Sequence, residues 1–147
     1  MHEPAELFVW DGAGERQLTN FNKGLLSQID FVAPERFQFK ASDGQMIEGW
    51  IMKPRDLKEA EKRPTILDIH GGPKSKYGAS LMFELQLYRA EGYVGIFTNP
   101  RGSDGYSEKF ADIRQAYGTR DYKDIMEAVD YVTTNYGNWW SRSQPLP

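Results

Sequence analysis

Two short loops hold the residues of this chain whose types and spacing suit chemistry. The first, His70-Gly71-Gly72-Pro73, follows the apolar run Thr65-Ile66-Leu67-Asp68-Ile69. The second, Asn99-Pro100-Arg101-Gly102-Ser103-Asp104-Gly105-Tyr106, follows Tyr93-Val94-Gly95-Ile96-Phe97. Glycines let a substrate approach the backbone closely because no Cβ intervenes. Backbone N–H groups aimed at a reacting carbonyl oxygen stabilise the negative charge of acyl transfer, and losing one such donor costs about 3–4 kcal/mol. Pro73 has no N–H, so Gly71 and Gly72 are the candidate donors. A plain Gly-Gly-Pro turn between strand and helix uses the same residues without chemistry, and both readings stand at this point.

His70 is one of two histidines. A general base must reach a nucleophile, and no G-x-S-x-G turn occurs to supply one, so His70 is read as a residue that packs or hydrogen-bonds within its loop. Arg101-Gly102-Ser103-Asp104-Gly105 resembles such a turn with arginine in place of the first glycine. A Ser103–His70 dyad is conceivable, but no clean amphipathic helix follows Gly105, and a glycine-rich turn is the preferred reading. Arg101 could pair with a carboxylate and stiffen the loops around a pocket. Phosphate-binding and dinucleotide-binding glycine motifs are absent, as is H-E-x-x-H. No cofactor or metal is expected.

The elements that must position these loops follow from periodicity. Glu6–Trp10 and Arg16–Thr19 flank a Gly-rich turn and read as a hairpin, with a loop over 20–24. Arg36–Lys40 alternates, with Phe37 and Phe39 on one face, and pairs with Met46–Met52 across Ser42-Asp43-Gly44. Asp56–Arg63 reads as a charged loop or short helix. Thr65–Ile69 and Tyr93–Thr98 read as buried strands. Between them Ser80–Glu91 has a helical pattern through Leu81, Leu85 and Tyr88, closed by Gly92. Strand, loop, helix, strand is a βαβ unit, so the two strands are expected to be parallel. A last helix is expected over Asp121–Tyr136, with Ile125, Val129, Val132 and Tyr136 in one stripe, Asp121 as N-cap and Asp124 as favourable first-turn charge. Residues 137–147, with Trp139-Trp140, have no period and read as an irregular tail.

The chain has 147 residues, 39% hydrophobic and 27% charged, with a net charge of −3. Mixed charge without a clustered basic face argues against nucleic-acid binding. The absence of cysteine excludes disulfides, thiol catalysis and cysteine-based zinc sites. No stretch approaches the roughly 20 apolar residues of a membrane span, and the first residues lack the pattern of a signal peptide. A soluble cytoplasmic protein is the expectation.

Taken in order, these motifs resemble the prolyl oligopeptidase family of serine peptidases, and within it the acylaminoacyl-peptidase branch. Residues 6–22 (ELFVWDGAGERQLTNFN) are similar to the end of that family's β-propeller. Residues 37–54 (FQFKASDGQMIEGWIMKP) are similar to the first hairpin of its hydrolase domain. DIHGGP at 68–73 matches its oxyanion loop, NPRGSDGY at 99–106 the loop after the next strand, and YGTRDYKD at 117–124 the entry to the following helix. The resemblance implies an α/β fold: an incomplete α/β-hydrolase over 31–136, preceded by a propeller-like hairpin over 1–30. It implies Gly72 as the likelier oxyanion donor, with Gly71 beside it and His70 and Arg101 in support. It implies a parent that cleaves peptides through a Ser-His-Asp acyl-enzyme mechanism. The G-x-S-x-G serine, the aspartate and the histidine of that triad do not occur in these residues. The chain is therefore expected to be a fragment that does not hydrolyse peptides alone. The alternatives are a non-catalytic module that self-associates or complements another chain through an exposed sheet edge, or part of a carboxylesterase-type hydrolase.

Overall fold

The computed structural model describes residues 4–58, 61–78, 80–136 and the backbone of 140–141. The N-terminal hairpin forms as expected: β1 (Phe8–Trp10) pairs antiparallel with β2 (Glu15–Gln17) in a separate two-stranded sheet. Its anchor is Glu6, whose carboxylate accepts from the Thr19 hydroxyl, the Phe21 and Asn22 backbone N–H groups and the Asn22 side chain. These bonds hold the carboxyl down at about 2, the Thr19 hydroxyl contributing most. Part of the segment read as a loop winds instead into the single turn of α1 (Lys23–Leu26).

The main sheet has five strands in the order β3-β4-β6-β5-β7. β3 (Glu35–Lys40) and β4 (Met46–Met52) make the expected hairpin, turned at Gly44 with φ +92°. Phe37 pairs across with Gly49, and a Cβ on Gly49 would lie 2.4 Å from the Phe37 ring. The glycine is thus what lets the phenyl ring cross the neighbouring strand. β5 (Arg63–Asp68) starts two residues before the expected boundary. It runs parallel to β6 (Val94–Asn99), across α2 (Phe83–Ala90), as the βαβ reading requires. β6 is buried along its whole length, whereas β5 is only half-buried and Ile69 lies beyond it, exposed. The expectation of a buried strand at 65–69 fails because, among the described residues, β5 has β6 on one side and only the short β7 on the other. β7 (Trp140–Ser141) pairs parallel with Arg63 and Pro64, so the segment read as irregular contains a short strand.

α3 (Glu108–Ala111) is one turn, capped by the Ser107 hydroxyl accepting from the Phe110 N–H. α4 (Arg120–Asn135) is the expected long helix. It buries Ile125, Ala128 and Val132, and Val129 is only partly covered. Its N-cap is Thr119 rather than Asp121. The two helices cover opposite faces of the sheet. On the α4 side, Phe37, Phe39, Ile47, Ile51, Val94 and Ile96 meet Ala128 and Val132, with Tyr131 stacked on both phenylalanines. On the α2 side, Trp50, Met52, Phe97 and Tyr77 pack with Leu85. Covering both faces is what parallel strands demand. The linker into the sheet is tied to α2 by two buried polar side chains. Gln86 exchanges bonds with the backbone of Val32 (3.2 and 2.9 Å), and Arg89 holds the carbonyl (3.0 Å) and carboxylate (2.9 Å) of Asp30.

Candidate oxyanion site

The two loops singled out by sequence leave the C-terminal ends of β5 and β6, which are neighbours and parallel, so parallel pairing brings the loops side by side. Gly71 and Gly72 lie exposed on the first loop, and a Cβ on either would meet no atom within 4 Å. Gly72 has φ +87°, a conformation that L-residues rarely adopt, whereas Gly71 does not need glycine's freedom. The open space around both leaves room for a substrate carbonyl.

The second loop is the wall against which the first is built. His70 Nε2 lies 2.8 Å from Ser103 Oγ. The Asp104 N–H donates to the Ser75 carbonyl at 3.0 Å. Gly102, at φ +102°, passes so close to Pro73 that a Cβ on it would be 3.5 Å from the proline's. The structure thus brings His70 and Ser103 together, but not as a base and a nucleophile. The single hydroxyl proton of Ser103 is donated to the Pro100 carbonyl at 2.7 Å, so His70 Nε2 must carry the proton of the bond between them. Ser103 is also fully buried, out of reach of any substrate. His70 acts here as a latch between loops.

Arg101 is the second support. Its guanidinium grips Asp124 in α4 with Nε at 2.9 Å and Nη2 at 2.6 Å, and the Arg101 backbone N–H donates to the same carboxylate at 2.9 Å. Its remaining Nη1 reaches Asp43 in the β3–β4 turn. The Asp124 carboxylate, more than any other group, raises the arginine above its already high value, and the hydrogen bond from Arg101 holds Asp43 below the usual carboxylate range. Sequence reasoning assigned Asp124 to helix-dipole charge; the structure buries it completely. The signal was legible: Asp124 falls on the face of Ile125, Ala128 and Val132, where a carboxylate needs a buried cation.

Two further residues bear on the site: Asn99, which the sequence places only as the first residue of the second loop, and Tyr77, which it does not single out. Asn99, the last residue of β6, has its side chain in the gap between the loops. Tyr77 is buried at the end of the first loop, with its ring edge on the His70 imidazole at 5.1 Å. Burial, and then the Asp68 carboxylate, push its phenol far above the ordinary value. Tyr106 is pushed up to about 12 by burial and then by Glu48, which accepts its proton. A cleft of about 970 Å³ opens next to Pro73 and Lys74, walled by residues 104–109 and 111–114.

A mixed sheet with parallel β5 and β6, helices on both faces, and a glycine loop at a strand's C-terminal end match the N-terminal part of an α/β-hydrolase sheet. Comparison with known proteins agrees. Residues 79–144 match the prolyl oligopeptidase family. The Pyrococcus horikoshii acylaminoacyl peptidase structure superposes with a TM-score of 0.81 at 42% identity, over 88% of this chain and 21% of that one. An uncharacterized peptidase of Bacillus subtilis, YuxL, is 40% identical over 86% of this chain and 20% of its own length. Dipeptidyl-peptidase 5 of Porphyromonas gingivalis is 31% identical over 77% of this chain and 17% of its own. The chain resembles the prolyl oligopeptidase family in sequence and in fold, and it spans about a fifth of the length of the relatives it matches.

Proposed function

We propose that this chain is the part of a serine peptidase that supplies one oxyanion donor, the Gly72 N–H, to a catalytic site completed by residues outside it. The observation that carries the reading is the exposed Gly72 at φ +87°, on a loop fixed by His70 and by the Arg101-bearing second loop. Gly71 is the neighbouring, secondary donor. In the complete reaction a serine oxygen attacks the scissile carbonyl, a histidine takes the serine's proton and returns it to the leaving amine, and an acyl-enzyme forms and is hydrolysed. The Gly72 N–H would donate a hydrogen bond to the carbonyl oxygen as negative charge gathers on it. Acylated or N-terminally blocked peptides are the favoured substrates, because a related acylaminoacyl peptidase has been solved with Z-Gly-Gly-Phe-chloromethyl ketone, at 42% identity to this chain. Alone, the chain is expected to turn over no peptide or ester and to leave Ser103 unmodified by a fluorophosphonate. The decisive test grafts the chain in place of the matched fifth of the Pyrococcus enzyme. Retained peptide hydrolysis supports the reading, and a folded but inactive graft contradicts it.

A second reading concerns partners. Among the described residues the outer edge of β5 is paired only at Arg63 and Pro64, and open parallel edges invite strand addition. Self-association through residues 65–68 is the proposal there. A cytoplasmic location is proposed on the lack of cysteine, which suits a reducing compartment.

A further inference from the structure

We infer that Asn99 is the positioning residue of the oxyanion loop, an inference that rests on the reading of Gly72 as donor. Asn99 ends β6 and is 1% exposed. Its amide faces neither solvent nor the sheet ladder. Oδ1 accepts the Tyr77 backbone N–H at 2.8 Å, and Nδ2 donates to the Tyr77 carbonyl at 2.9 Å. Nδ2 also donates to the Tyr106 hydroxyl at 2.9 Å, whose own proton goes to Glu48. Two of these bonds go to the backbone of one residue, so the side chain behaves as an added peptide unit that fixes Tyr77 in position and orientation. Only an amide can do both: aspartate cannot donate, and leucine would leave a buried N–H and a buried C=O unpaired.

Tyr77 passes that position on. Its ring lies edge-on to Phe97 of β6 at 5.1 Å and edge-on to His70 at 5.1 Å, and His70 directly precedes the two glycines. The other ties on the loop, Ser103 to His70 and Asp104 to Ser75, come from loop residues. Asn99 is the tie that comes from the end of a fully buried strand. It therefore transmits the rigidity of the sheet to backbone atoms that no sheet hydrogen bond reaches.

The test is made on the 147-residue chain by amide exchange and backbone ¹⁵N relaxation. In Asn99→Ala, Tyr77 N–H exchange should rise about ten-fold or more. The Gly71 and Gly72 order parameters should fall from the rigid range near 0.85 to below about 0.6. Those of Ile51 and Ile96 in the sheet should not move. Asn99→Asp, which keeps the shape and the acceptor, should shift the glycines in the same direction and is read alone if the alanine variant unfolds. Faster Tyr77 exchange with both glycines unchanged would overturn the inference, because Asn99 would then only satisfy a buried peptide group. Loss of order spread evenly over the sheet would overturn it equally. The outcome is independent of the Gly72 reading. An unaffected Gly72 variant in the graft would remove the donor role and leave the anchoring measurement standing.

Discussion

Arg101 and Asp124 form the most consequential side-chain pair in the chain, because both are held out of water: Arg101 is 12% and Asp124 1% exposed at the side chain. Breaking a buried pair leaves an uncompensated charge and costs about 3–5 kcal/mol. Asp124→Ala is therefore expected to lower unfolding free energy by about that much in urea titration. Arg101→Lys should fail to preserve stability, because an ammonium cannot reproduce the bidentate grip. A cost under about 1 kcal/mol would mean that water already screens the pair. Glu6 gives a prediction with a pH sign. Its folded carboxyl sits at about 2, below the roughly 4.3 of an unfolded glutamate. The stabilisation it provides is complete above that unfolded value and disappears as pH falls towards about 2. The Thr19, Phe21 and Asn22 amide resonances should shift between about pH 4 and 2, and Glu6→Gln should abolish that titration. Resonances that stay fixed down to pH 2 would show that the carboxylate does not organise the hairpin.

The elements show how far sequence reading reaches. The alternation around Phe37 and Phe39, the βαβ pattern and the 121–136 stripe each gave the right element within one to three residues, because each depends on local periodicity that tertiary packing reinforces. What escaped depends on contacts between distant segments. Asp124 looks like first-turn charge until α4 is laid over the loop carrying Arg101. Ser103 reads as a turn residue and His70 as a packing residue, but the bond between them, and the one from Ser103 to the Pro100 carbonyl, come into view only when the two loops lie side by side. The incomplete cover of β5 cannot be read from its apolar composition, since composition does not count neighbours. Gly71 and Gly72 were legible as candidates by residue type and the family resemblance favours Gly72, while the backbone gives the physical distinction, the positive φ of Gly72. At this scale Gly49 makes a sharp prediction. Gly49→Ala would place a methyl 2.4 Å from Phe37 Cζ and 2.9 Å from Thr98 Cγ2. Overpacking of this kind costs about 1–3 kcal/mol. An unchanged denaturation midpoint would mean that the β3–β4–β6 core yields more readily than its contacts suggest.

At the scale of the molecule, the sheet has a sealed centre and open edges. β6 is sealed by neighbours on both edges, while β5 is half-buried and Leu7, Trp10, Phe21, Phe83 and Leu87 lie exposed around the fold. So much apolar surface on one small chain marks interfaces. Sedimentation should therefore show association that grows with concentration, and a monomer at every concentration would contradict the open-edge account. The central claim is that Gly72, held by the neighbouring loop, supplies an oxyanion donor. The measurement that tests it most directly is kcat of the Pyrococcus graft carrying Gly72→Ala, beside the same graft carrying Gly71→Ala. A Cβ at position 72 pushes the backbone off φ +87° with no neighbouring atom to blame, so kcat should fall by about 10²–10³ with KM little changed. Gly71→Ala should cost far less. A Gly72→Ala graft that keeps full kcat would contradict the account.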